Sequence, residues 1–109
     1  MLKLKSMRIF FTILFLIIPF FSSSAANIMK GEARAYREEG YRLQSMGDLQ
    51  KALAYYQKSA YMDPLYSEVQ NDLGVVYKAL GDEDSALMAY KKVLELDPSY
   101  LPAYTNLAF

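Results

Sequence analysis

The chain has 109 residues, twelve lysines and arginines balancing twelve acids, and neither histidine nor cysteine. That length holds one small domain. With no imidazole or thiol there is no histidine base, no thiolate nucleophile, no nitrogen or sulfur ligand set for zinc or iron, and no disulfide framework, so neither an enzyme nor a bound cofactor is expected.

The first segment reads as a leader. Residues 1–8 carry three cations, Lys3, Lys5 and Arg8, and no acid; eleven of the thirteen residues at 9–21 are large and apolar, and small residues follow at 22–26. This is the order of an export signal, with cleavage expected after Ala26 so that Asn27 comes first. The apolar core reaches about 20 Å as a helix against roughly 30 Å of hydrocarbon. The alternative is an uncleaved membrane anchor formed by residues 9–29, which carry no charge. Cleavage places the protein in a periplasmic or secreted location; the anchor holds it at a membrane. After cleavage nine cations face twelve acids. That mildly acidic, mixed surface argues against nucleic acid or anionic lipid as a partner.

Beyond the leader the sequence aligns with itself at an offset of 34 residues. Gly40 pairs with Gly74, Gly47-Asp48 with Gly81-Asp82, Ala52-Leu53 with Ala86-Leu87, Tyr56 with Tyr90, Lys58 with Lys92, and Asp63-Pro64 with Asp97-Pro98. Each unit reads as two helices. The Gly-Asp steps end the first and start the second, and the prolines close the second. Small residues at Gly40, Gly74, Ala52, Ala86 and Ser59 allow close helix approach, while Tyr36, Leu43, Leu53, Tyr56, Leu73, Tyr77, Leu87 and Tyr90 supply bulk between helices.

A unit of this length, with small, aromatic and proline positions at these offsets, resembles the tetratricopeptide repeat. Residues 33–66 form the first repeat, 67–100 the second, and 101–109 the opening of a third, incomplete helix. The usual tryptophan is Tyr36 in the first repeat and Gln70 in the second, a usual leucine is Glu39, and a usual alanine is Val93. The resemblance implies an all-α, right-handed solenoid of antiparallel helix pairs that binds a protein or peptide on the concave face lined by the first helix of each repeat. Mapped onto this chain, the groove candidates are Arg34, Arg37, Tyr41 and Gln44, then Glu68, Asn71, Val75 and Lys78. Arg37 and Tyr41 lie one turn apart, a pairing suited to a carboxylate beside an aromatic contact. For each residue an ordinary solvated face is the competing reading. The Lys and Asn pattern with which some members grip a C-terminal carboxylate is not matched, because Tyr41 stands where an asparagine is expected and Asp72 would repel the anion.

Among the ten tyrosines, the register assigns Tyr56, Tyr77 and Tyr90 to packing and leaves Tyr41, Tyr66 and Tyr100 as contact candidates. The acids at 82–84 suit the positive end of a helix rather than a calcium loop. Glu38 and Glu39 point to different helix faces and cannot share a substrate. At the C-terminal end Leu101, Tyr104, Leu107 and Ala108 form an apolar stripe on a third helix that lacks its partner, below the roughly three units a solenoid normally needs. Either the array continues, or that face packs on a partner or a second copy. Two functions stay open: a free exported adaptor, or the N-terminal docking segment of a larger exported or membrane-anchored protein.

Overall fold

The computed structural model describes residues 2–108, with the side chains of residues 2–6, 10, 11 and 14–21 outside that description. Five helices follow in order: α1 (Leu2–Ser45), α2 (Leu49–Met62), α3 (Ser67–Ala79), α4 (Glu83–Leu96) and α5 (Leu101–Leu107). No strand occurs among the described residues. Each helix packs on the next in the chain, and α5 also touches α3. The result is an all-α solenoid.

The turns within repeats are built as the glycines predict. Gly47 and Gly81 take φ of 84° and 85°, where a side chain would be strained. Around Gly47, the Asp48 N–H donates to Leu43 O at 2.9 Å and the Gly47 N–H to Gln44 O at 3.0 Å; Asp82 to Tyr77 and Gly81 to Lys78 repeat this at 2.9 and 3.0 Å. Two of the four carbonyls orphaned at each helix end are thereby satisfied. The aspartates then start the next helix: Asp48 accepts the Lys51 N–H at 3.3 Å and Asp82 the Ser85 N–H at 3.1 Å. Hydrogen bonds from the Lys51 and Ser85 side chains first, and then these backbone bonds, hold both carboxyls below the ordinary carboxylate range. At the turns between repeats, Asp63 and Asp97 accept the N–H two residues on, from Leu65 and Ser99, just where Pro64 and Pro98 stop the helix.

Packing rests on glycine against tyrosine. A Cβ built on Gly40 would lie 2.7 Å from two ring carbons of Tyr56, and one on Gly74 would lie 2.7 Å from Cδ1 and Cζ of Tyr90. Ala33, Ala52, Tyr56, Val69, Val76, Ala86, Val93 and Ala103 are fully buried. Buried Ser59 donates its Oγ proton to Ala33 O at 2.6 Å, tying α2 to α1.

α1 is a single helix through residues 22–32, because nothing between Pro19 and Gly31 breaks it and a lone glycine costs only about 1 kcal/mol. The leader expectation at 1–26 falls largely on side chains outside the description; Ala33 is the first buried residue of α1 among the described ones. Among the described residues no helix is long and apolar enough to cross a membrane. Leu87 was expected between helices but is exposed, since the seven-residue α5 covers α4 less than α3, with thirteen residues, covers α2. On α5 the buried residue is Ala103; Leu101 and Tyr104 face solvent and Ala108 lies past the helix end. Tyr61 and Tyr104 are exposed as well, outside the three tyrosines singled out by register.

Candidate peptide-binding groove

The sequence candidates lie on α1 and α3, the first helices of the two repeats. On α1, Arg34, Arg37, Glu38 and Tyr41 recur at helical spacing, and with Tyr66 they line a cavity of about 390 Å³. Tyr41 is 66% exposed and Arg34 is exposed with no hydrogen-bond or ion-pair partner among the described residues. Arg37 behaves differently. Its Nε donates to Asp72 Oδ2 at 2.6 Å, its Nη1 to the Tyr66 hydroxyl at 3.5 Å, and its charge lies 5.5 Å from the Tyr66 ring centroid. Burial pulls the Arg37 pKa down, but the bond and charge of Asp72 outweigh it and leave the guanidinium firmly protonated. Burial pushes the Asp72 carboxyl up, against the pull of Arg37. The guanidinium proposed from sequence as a carboxylate ligand is thus engaged inside the protein, and Asp72, expected to repel an anion, is neutralised by it.

On α3, Asn71 Oδ1 accepts from Asn106 Nδ2 of α5 at 2.9 Å. Residues 71 and 106 are 37 and 72 displaced by one repeat of 34. The Arg37–Asp72 and Asn71–Asn106 contacts are therefore one cross-strut built twice, ionic at the first junction and neutral at the second. Gln44 is also committed: it accepts the hydroxyl proton of buried Tyr56 at 2.7 Å, whose pKa burial pushes up to about 12. Glu68 is half-buried and accepts from Ser67 at 3.2 Å, Val75 is half-buried, and Lys78 is exposed in the last turn of α3. Of the eight sequence candidates, the cavity gathers Arg34, Arg37 and Tyr41; Glu68, Asn71, Val75 and Lys78 continue as a stripe along α3.

Sequence reasoning missed Asp72 as a partner and Asn106 altogether. The signal available was the sum of the repeat period and one residue, which places a residue on one first helix opposite its neighbour on the next. On the opposite face of α1, Lys58 sits 5.8 and 4.8 Å from the ring centroids of Tyr36 and Tyr55, which lie 6.1 Å apart. Exposed Tyr61 lines the cavity beside them.

The comparisons agree with this architecture. Two crystal structures of MamA superpose with TM-scores of 0.69 and 0.68 at 26% identity, each covering 72% of this chain. This chain spans 46% and 43% of theirs, less than half their length. No curated protein matches it. The sequence profile of the tetratricopeptide repeat matches residues 31–99, well over half of the 109. The chain belongs to the tetratricopeptide-repeat family, whose repeats serve as protein-interaction modules.

Proposed function

We propose that this chain is an exported, non-catalytic adaptor that binds a protein or peptide segment in the concave groove formed by α1 and α3. The observation that carries the reading is the cavity of about 390 Å³ in which Arg34 has no ion-pair partner among the described residues and Tyr41 is exposed, beside an Arg37 already locked by Asp72. A locked floor with accessible rim residues is preorganised, so little ordering cost falls on binding. Export rests on the charged start, apolar core and small residues of the first 26 positions. Selection of a displayed peptide library on the full-length chain, followed by Arg34→Glu and Tyr41→Ala, tests the groove. Binders that lose affinity with both substitutions support it. Binders indifferent to both place the contact elsewhere.

A second reading is favoured by the length of the matched structures, which are more than twice as long as this chain's match to them. Here the repeats are the N-terminal docking segment of a larger exported or membrane-anchored protein. Intact mass and fractionation of the native product separate the two readings. A soluble product starting near Asn27 and ending at Phe109 supports the adaptor, and a longer or membrane-held product supports the docking segment.

A further inference from the structure

The two ends of the repeat array are finished differently. At the head, Ala35, Glu39 and Arg42 stand one period before Val69, Leu73 and Val76. On α3 those three positions are apolar and buried in the core shared with the first repeat. On α1 the same face is exposed at Ala35 and Arg42 and half-buried at Glu39, and it carries an ion pair, with Arg42 Nε donating to Glu39 Oε2 at 2.9 Å. Charges there suit water.

The tail has no such finish. Leu101, Tyr104 and Ala108 stand one period after Ser67, Gln70 and Gly74, and two periods after Ala33, Tyr36 and Gly40. In the complete repeats a second helix covers this face. Ala33 O accepts from Ser59 of α2 at 2.6 Å, the Tyr36 ring lies 6.1 Å from that of Tyr55, and Gly40 and Gly74 lie under Tyr56 and Tyr90. Since Gly40 meets Tyr56 while the earlier Ala33 meets the later Ser59, the covering helix runs antiparallel. On α5 the same face is open: Leu101 is 74% and Tyr104 50% exposed, and Ala108 is exposed with them. Among the described helices α5 alone carries no charged residue, and no charge occurs anywhere in residues 98–109.

Head and tail are not complementary. Stacking them would take the Glu39–Arg42 pair out of water against an uncharged helix that offers nothing in exchange. Tail against tail carries no such cost, because a two-fold contact sets a patch against its own image and an uncharged patch meets no like charge there. A two-fold axis across α5 also makes the copy's helix antiparallel, the direction in which α2 covers α1. Leu101 of each copy is then directed toward the small Ala108 of the other.

We propose that the open face of α5 binds a second copy of this chain, tail to tail, in a closed two-fold dimer. This goes beyond the groove reading and does not depend on it, since the groove candidates lie on α1 and α3. Two large exposed side chains supply less than the roughly 800 Å² per partner of a standard interface, so the dimer is weak and forms with rising concentration.

The test is sedimentation velocity of the full-length chain over a wide concentration range. The expected result is a monomer–dimer equilibrium whose dissociation constant rises about tenfold or more with Leu101→Glu, which sets an unpaired charge into the contact. An acid at the start of α5 suits the helix dipole, and unchanged circular dichroism and urea unfolding show that the fold is kept. Leu101→Lys and Ala108→Glu are each expected to be monomeric alone and to pair when mixed, whereas a Glu39→Gln, Arg42→Gln double variant dimerises as the parent does. A chain that stays monomeric throughout, association indifferent to Leu101→Glu, or association lost with the head variant overturns the proposal. So does a native product that continues past Phe109 and is monomeric, because a further helix of the same chain then covers the face.

Discussion

Replacing Gly40 by alanine sets two effects of opposite sign against each other. In a helix interior alanine is favoured over glycine by about 1 kcal/mol, so an unobstructed site would gain stability. At Gly40 the new methyl meets Tyr56 Cδ1 and Cε1 at 2.7 Å, closer than carbon atoms tolerate. The ring has little room to retreat, because Tyr56 is fully buried and its hydroxyl is bonded to Gln44 at 2.7 Å. Overpacking of a well-packed core costs about 1–3 kcal/mol, and a fixed ring places this site in the upper part of that range. The net expectation for Gly40→Ala is a loss of about 1–2 kcal/mol, or a fall of roughly 5–15 °C in melting temperature for a domain of this size. Gly31→Ala is the control: it lies on the same helix with nothing within 4 Å. Urea and thermal unfolding of the full-length chain, followed by circular dichroism, read both. A Gly40→Ala protein as stable as the parent, or a Gly31→Ala protein equally weakened, would refute the glycine–tyrosine packing argument.

Other substitutions test other contacts. Ser59→Ala removes the buried bond to Ala33 O and is expected to cost about 1 kcal/mol in urea unfolding. Arg37→Met leaves the Asp72 carboxylate, 18% exposed, without its cation; the expected loss is about 2 kcal/mol, below that of a fully buried pair because the Arg37 side chain is 34% exposed. Its neutral counterpart, Asn71→Ala, should cost about 1 kcal/mol and show no dependence on salt. Asp48 and Asp82 have pKa values lowered from the ordinary 3.8, so their contribution is present above that value and is lost as pH falls through the lowered ones. Unfolding measured from pH 6 to pH 2 should show this loss, and an Asp48→Asn, Asp82→Asn double variant should flatten it.

Turns and packing positions were legible because identical residues recur at one offset. Gly47 and Gly81, Asp48 and Asp82, Tyr56 and Tyr90 each do the same job twice, and a search for self-similarity finds them. Junctions between repeats escape that search. Arg37–Asp72 and Asn71–Asn106 occupy equivalent positions with different residues, so the strut has a conserved geometry but no repeated letters. Exposure is harder still to read. Leu53 and Leu87 are the same residue in the same register, yet the first is half-buried against the core and the second is exposed. Where α1 starts to pack was not legible either: residues 22–32 continue the helix of the first repeat but are exposed, and Ala33 is the first described residue of α1 to be buried.

The claim that the concave face is the working surface is tested most directly by a photoreactive phenylalanine analogue placed at Tyr41 or at Tyr61 in the full-length chain, produced in cells that make the native protein. These positions lie on the groove and on the opposite face of the first repeat. The account predicts a discrete protein adduct from position 41 that is lost with Arg34→Glu, and none from position 61. An adduct from position 61 alone would contradict it and move the binding surface to the side of Tyr36, Tyr55 and Lys58.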